Sequence, residues 1–193
     1  YYELEDNIFT LKLTPNRGDC LGMTGVAREV AAITSAKLEP LEIIPVEVQI
    51  GEGLAINVDA PRACPLYCGR VVRDVNLDAT TPDWLIRRLE RSGLRGVNVV
   101  VDITNYVMLE TGQPLHAFDY DTLRGKKIVV RRMRKGETLE LLTKTVVVAD
   151  GVPGGKPLDP LPLVIADGER PVALAGVMGG AVTRITDSTT NVM

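Results

Sequence analysis

The sequence predicts an α+β fold, with mixed β-sheets and a few packed helices. Strand-like and helix-like stretches are largely segregated along the chain, the pattern of that class rather than of alternating βαβ units. From residue 128 onward, β-branched runs follow one another, broken by Gly and Pro. Apolar residues at helical spacing are confined to three earlier segments.

In chain order, Phe9, Leu11 and Leu13 alternate with Thr10 and Lys12, which predicts a strand. The turn Thr14-Pro15-Asn16-Arg17-Gly18-Asp19 leaves Asp19 placed to cap a helix. Met23, Val26, Ala27, Val30 and Ala31 share one face of that helix, which is expected to run to about Ser35. A Pro-containing stretch, 38–42, reads as a link. Residues 1–40 are therefore expected to be a strand–helix piece of one module plus linker, and 41–193 the main domain. Val46, Val48 and Ile50 alternate as a strand, and 67–75 offers another. Thr81-Pro82-Asp83 supplies a capping hydroxyl, a first-turn proline and a carboxylate at the positive end of a helix. Leu85, Ile86 and Leu89 give that helix its buried face, and Ser92-Gly93 stops it. The segment 97–111 is rich in β-branched residues, yet Val100, Ile103, Tyr106 and Val107 fall at helical spacing before Gly112, and we read a helix. Strands are expected at 128–133, 138–142, 145–149, 163–166 and 172–176, with a Gly/Pro-rich loop over 151–162. Residues 191–193 read as part of a strand. With no initiator Met at the other end, both ends read as cut.

Composition narrows the function classes. A chain of 193 residues with 45% hydrophobic and 24% charged residues is that of an ordinary globular domain. The net charge of -3 gives no overall basic character, so any nucleic-acid contact must come from local patches. Cys20, Cys64 and Cys68 lack Cys-x-x-Cys spacing, and a single histidine accompanies them, which argues against a Cys/His zinc site; no metal site is expected. Three thiols without a framework suit a reducing, cytoplasmic compartment. No apolar run approaches the ~18 to 20 residues of a membrane span.

Several residues stand out as candidates. His116 is the only histidine, set between Pro114-Leu115 and Ala117-Phe118; it reads either as a hydrogen-bonding partner for a substrate or an attacking water, or as a buried structural imidazole satisfied by backbone. Thr104 and Asn105 interrupt an otherwise apolar helix, where they either hold a ligand or back-bond to the preceding turn. Gly176, Gly179 and Gly180 permit close approach of backbone to a ligand, or mark turns and bulges. Arg124, Lys126, Lys127, Arg131, Arg132, Arg134 and Lys135 concentrate positive charge that serves either phosphate contact or a solvated strand edge.

Three strings carry a resemblance. They are Leu13-Thr14-Pro15-Asn16-Arg17-Gly18-Asp19-Cys20-Leu21 with Gly25-Val26-Ala27-Arg28-Glu29-Val30, then Val101 to Glu110 with Gly112-Gln113-Pro114-Leu115-His116-Ala117-Phe118-Asp119, then Ala173-Leu174-Ala175-Gly176-Val177-Met178-Gly179-Gly180. In this order they resemble the bacterial phenylalanyl-tRNA synthetase beta chain and its editing module. The resemblance implies an aminoacyl-tRNA hydrolase domain that removes tyrosine wrongly esterified to tRNA(Phe), supporting accurate protein synthesis. A non-catalytic RNA-binding or subunit-packing module of the same synthetase is the alternative. It implies that His116, Asn105 and Thr104 are the catalytic set, and that Arg95, Pro114, Ala175, Gly176 and Gly179 contact substrate. The reader of the tyrosine hydroxyl would be a glutamate just beyond Met193, so the domain is expected to be truncated at its C-terminal end. Implied partners are the tRNA(Phe) acceptor end and the alpha subunit of a heterotetramer, with no membrane and no DNA. The fragment would need no cofactor and would have no ligase activity; the full synthetase would use ATP and Mg. Gly96, and the segment Leu141-Leu142-Thr143-Lys144, depart from the family pattern outside the proposed catalytic strings.

Overall fold

Backbone hydrogen bonding resolves the chain into three helices and seven short strands in a computed structural model that describes residues 5–151 and 159–193. The helices are α1 (Met23–Thr34), α2 (Asp83–Arg91) and α3 (Val99–Thr111). The strands are β1 (Ala55–Val58), β2 (Lys127–Arg132), β3 (Thr138–Glu140), β4 (Val146–Val148), β5 (Leu163–Ala166), β6 (Pro171–Leu174) and β7 (Met178–Gly179). The class is α+β, as the segregated patterns predict. No helix among the described residues is long and apolar enough to cross a membrane.

The chain divides into two compact units, each discontinuous in sequence. The first comprises residues 1–47 and 79–115, and so places α1, α2 and α3 together. The second comprises 48–78 and 116–193 and holds every strand.

In the helical unit, α3 forms where the periodicity predicts. Asn98 caps it by accepting from the Val101 N–H at 3.0 Å, and Gly112 ends it with φ 76°, a left-handed value that glycine takes without strain. The expected hydroxyl cap of α2 is corrected: Pro82 occupies the cap position, and Thr81 donates instead to Asp102 Oδ2 at 2.7 Å. Asp102 is 1% exposed, and its other oxygen accepts from the Val97 N–H at 2.8 Å. One carboxylate thus ties the approach to α2 and the approach to α3 into a single knot.

Asp19 does not cap α1 either. It lies in a 3-10 turn, Gly18–Leu21, and Gly22 is the cap residue. Arg17 takes the Asp19 carboxylate through two N–H donors, at 3.1 and 2.9 Å, and also pairs with Glu29 at 2.6 Å. Those hydrogen bonds from Arg17 hold the Asp19 pKa down, to about 2. Glycine at 22 serves close packing: a side chain there would meet the Gly112 nitrogen at 2.3 Å.

In the strand unit, a five-stranded mixed sheet runs in the order β1-β2-β5-β6-β7, with β1 and β2 parallel and the other pairs antiparallel. β3 and β4 form a separate hairpin. Alternate residues of a strand face opposite sides, and both sides of this sheet are covered. Ile128, Val130 and Ile165 pack with Phe118, Tyr120, Val172 and Met193, whereas Val164 joins Met133, Leu139, Leu141 and Ala149. Double burial explains why β2 and β5 read as near-continuous apolar runs.

Two expected strands are absent. Residues 9–13 and 46–50 have the alternation but no ladder, and Phe9 is 82% exposed. Alternation specifies two faces; a strand also needs a continuous ladder with a neighbouring backbone, and no ladder is seen at these residues. The 67–75 segment contributes only a bridge, Val72 with Val192. Val192 bridges Asp119 as well, so residues 191–193 lie in a small ladder, in keeping with their strand-like reading. Of the expected loop over 151–162, residues 152–158 lie outside the described residues.

The basic stretch is largely engaged internally. Arg131 is buried and pairs with Glu137 at 2.7 Å; Arg124 pairs with Glu169 at 2.7 Å. Lys126 donates to the Tyr120 carbonyl at 2.7 Å, and Arg132 to that of Leu161 at 3.0 Å. These contacts favour a structural use of the run over a phosphate track.

Candidate functional site

In the strand unit the chain brings His116 and Gly179 together. Gly179 sits in β7, paired with Ala173, and its carbonyl accepts from the Leu142 N–H at 3.0 Å. Its Cα faces the imidazole: a Cβ there would lie 2.3 Å from His116 Cε1 and 2.6 Å from Nε2. Only glycine leaves room for the ring. The imidazole also meets Phe118, whose fully buried ring stands edge-on with centroids 4.6 Å apart and planes at 77°. Phe118 is fixed in turn by a mutual backbone pair with Met193, at 2.8 and 3.0 Å.

Neither imidazole nitrogen hydrogen-bonds another of the described residues. The ring is held by packing alone and remains open to solvent on its outer side. Crowding by the surrounding protein nevertheless makes the cation harder to solvate, and this burial lowers the His116 pKa below its ordinary 6.5. Water reaching the exposed side limits the effect. Because the folded state disfavours the proton, the stability that the neutral ring contributes is complete above pH 6.5 and is lost as pH falls through the lower, folded value. As His116 is the only histidine, its proton NMR titration is unambiguous. We expect a midpoint below 6.5 in the folded chain, returning to about 6.5 in urea.

The other glycines of this segment have different reasons. Gly176 has φ 71° in the turn closed by the Val177 N–H donating to the Leu174 carbonyl at 3.0 Å, and a Cβ on it would meet nothing. Backbone conformation, not space, requires glycine there. Ala175 is half-buried, its N–H committed to the Leu163 carbonyl at 3.0 Å. Gly180 donates to the Val172 carbonyl at 2.8 Å, so its N–H is not available to a ligand.

The remaining candidates belong to the helical unit. The Thr104 hydroxyl donates to the Val101 carbonyl at 2.8 Å, the back-bond expected of a threonine inside a helix. The half-buried Asn105 side chain makes no hydrogen bond to the described residues. Arg95 and Pro114 are exposed, and Arg95 has no ion pair among the described residues. Phe118 and Asp102 escaped the sequence reading. The signal for Asp102 was present, since Asn98 followed by an acid one turn into an apolar helix resembles a reciprocal capping arrangement. A shallow open hollow of about 360 Å³, lined by Asp59 to Ala63 and Arg132, contains none of the proposed catalytic or substrate-binding residues. No group of three or more metal-ligating side chains occurs among the described residues.

Comparison with known proteins follows the same residues. The "Phenylalanine--tRNA ligase beta subunit" of Nitrosospira multiformis is 59% identical over 189 residues, covering 96% of this chain and 23% of that protein. The protein of the same name from Neisseria gonorrhoeae is 46% identical over 194 residues, covering 100% of this chain and 23% of its own length. The chain thus spans about a quarter of the curated relatives it matches. A crystal structure of an N-terminal fragment of the phenylalanyl-tRNA synthetase beta-subunit from Pyrococcus horikoshii is 17% identical, with TM-score 0.48, covering 92% of this chain and 51% of that one. The curated relatives bear out the resemblance carried by the three strings. The family model for the B3/4 domain matches residues 63–193, a span that holds His116, Phe118 and the Gly179 segment, and the chain belongs to that family.

Proposed function

We propose that this chain is the editing domain of a phenylalanine–tRNA ligase beta subunit, hydrolysing tyrosine mischarged onto tRNA(Phe). The observation that supports it best is the sole histidine, packed against a glycine that only just admits it, with both nitrogens free of the described residues. An imidazole kept below its ordinary pKa is neutral near pH 7 and can accept a proton.

In this reading a water held by His116 attacks the ester carbonyl carbon. Its proton passes to the imidazole, the bond from the carbonyl carbon to the ribose oxygen breaks, and the proton returns to that oxygen. Tyrosine and the free tRNA leave. Asn105, whose side chain makes no hydrogen bond to the described residues, is assigned a polar contact to substrate; Arg95 and Pro114 of the helical unit, and Ala175, Gly176 and Gly179 of the strand unit, are each assigned a contact to substrate. Thr104, its hydroxyl already committed to Val101, is assigned a supporting place beside Asn105. Discrimination against phenylalanine would come from buried polar partners of the phenol, each worth about 1 to 3 kcal/mol when left unpaired. Residues 41–193 are assigned to the editing module and 1–40 to a neighbouring one. The tRNA acceptor end and a synthetase alpha subunit are the proposed partners, in the cytoplasm.

The test is hydrolysis of tyrosyl-tRNA(Phe) by the complete synthetase. Changing His116→Ala should slow it by about 10² or more, the usual range for removing a general base, and Asn105→Ala should raise tyrosine mischarging. Unaltered editing in both variants would instead mark the chain as a non-catalytic module.

A further inference from the structure

His116 stands on a stretch of chain that does little to place it. Neither the main chain of residues 115–117 nor the imidazole makes a hydrogen bond to the described residues. Two positions later the backbone is held firmly. Phe118 and Met193 exchange both of their backbone hydrogen bonds, and the Tyr120 N–H donates to the Asn191 carbonyl at 2.9 Å. The Asp119 N–H, pointing the opposite way in an extended chain, donates to the Thr183 carbonyl at 2.9 Å. The Asp119 carboxylate adds two ties, accepting from the Thr189 hydroxyl at 2.6 Å and the Asp121 N–H at 3.0 Å.

The Phe118 ring is as fixed as its backbone. It is 0% exposed and belongs to one core cluster with Tyr120, Leu123, Ile128, Val130 and Met193. Residues two apart in an extended segment share a face. The immobile phenyl ring therefore stands against the untethered imidazole, edge-on at 4.6 Å between centroids. Aromatic pairs prefer offset or perpendicular arrangements over others. An aliphatic side chain in its place would supply contact without that angular preference.

We infer that Phe118 is a positioning residue: its ring sets where the His116 imidazole stands, passing the order of the core to a side chain that no hydrogen bond holds. Gly179 leaves the imidazole its space, and Phe118 gives it a direction. The inference rests on the hydrolytic reading of His116 for its effect on rate; the placement is independent of that reading.

Phe118→Leu keeps an apolar side chain in the core and removes the ring. In the complete synthetase it should lower kcat for tyrosyl-tRNA(Phe) hydrolysis about tenfold with KM unchanged, since misplacing a reacting group costs rate and not binding. Ile128→Ala, a truncation of like size in the same cluster, is the control for lost stability, replaced by Ile128→Val should it not fold. The control should retain its kcat. Placement is read separately, by NMR of the 193-residue chain, whose single histidine gives one assignable Cε1–H signal. A strong nuclear Overhauser contact from that proton to the Gly179 Hα is expected, because a Cβ built on Gly179 would lie 2.3 Å from Cε1. Phe118→Leu should weaken this contact as the ring departs, and the Ile128 variant should not. An undiminished contact in Phe118→Leu overturns the inference. So does a kcat that survives Phe118→Leu but not His116→Ala, or an equal loss of kcat in the Ile128 variant. A weakened contact in a synthetase whose editing survives His116→Ala would uphold the placement and reject the hydrolytic reading.

Discussion

Replacing Gly179 by valine should cost the complete synthetase about two orders of magnitude in tyrosyl-tRNA(Phe) hydrolysis while lowering domain stability by only about 1 kcal/mol. The first added carbon falls 2.3 Å from His116 Cε1, far inside contact distance. The atoms it meets belong to the end of a two-torsion side chain, so the ring yields and the strand does not. Phe118, edge-on at 4.6 Å between centroids, further limits where the displaced imidazole can go. A shifted His116 Cε1–H resonance with a titration midpoint moved back toward 6.5 would show the displacement. An unmoved resonance would show that the ring is not where we place it. Gly180 supplies the control. A Cβ there meets the Val172 carbonyl oxygen at 2.4 Å and Leu139 at 3.1 Å, and backbone cannot step aside cheaply. Gly180→Ala should therefore lose about 1 to 3 kcal/mol of stability. Neighbouring glycines, one change each, thus yield opposite balances of activity and stability.

Asp102→Ala is the second large effect, expected to destabilise the helical unit by about 3 kcal/mol. Both carboxylate oxygens are used, by the Thr81 hydroxyl at 2.7 Å and the Val97 N–H at 2.8 Å, at 1% exposure. Truncation leaves a buried N–H and a hydroxyl without acceptors, and hydrogen bonds to a charged group are worth about 1.5 to 3 kcal/mol each. Urea unfolding followed by the emission of Trp84, which lies in the same unit, measures the loss. Asp102→Asn preserves the shape and one acceptor, and should fall between the two. A midpoint unchanged in Asp102→Ala would mean that water satisfies the orphaned groups.

What the sequence disclosed and what it withheld divide along physical lines. The helix over Val99–Thr111 was legible despite its β-branched residues, because apolar spacing and the glycine stop agreed, and Asn98 supplies the matching cap. The strands from Lys127 onward were legible because burial on both faces leaves unbroken apolar runs. Phe9 to Leu13 and Val46 to Ile50 misled because alternation records faces and not neighbours. β7 is two residues long, too short for any period to register. Asp19 looked like a cap because its type fits, but Arg17 claims its carboxylate. At the candidate site, His116 was conspicuous by being alone. Gly179 was picked for a ligand's approach, whereas its open side is filled by the imidazole itself. No local pattern encodes that contact, since the two residues are 63 positions apart (179 − 116) and meet only through tertiary packing.

An imidazole packed against carbon, with no carboxylate or carbonyl among the described residues dictating its tautomer, is indifferent to which nitrogen bears hydrogen. A histidine locked by such a partner presents one fixed face, donor or acceptor, to whatever arrives. Here the protonation pattern is set by the guest. The same ring can present a lone pair in one half of a reaction and an N–H in the next, with no bond to the scaffold broken in between.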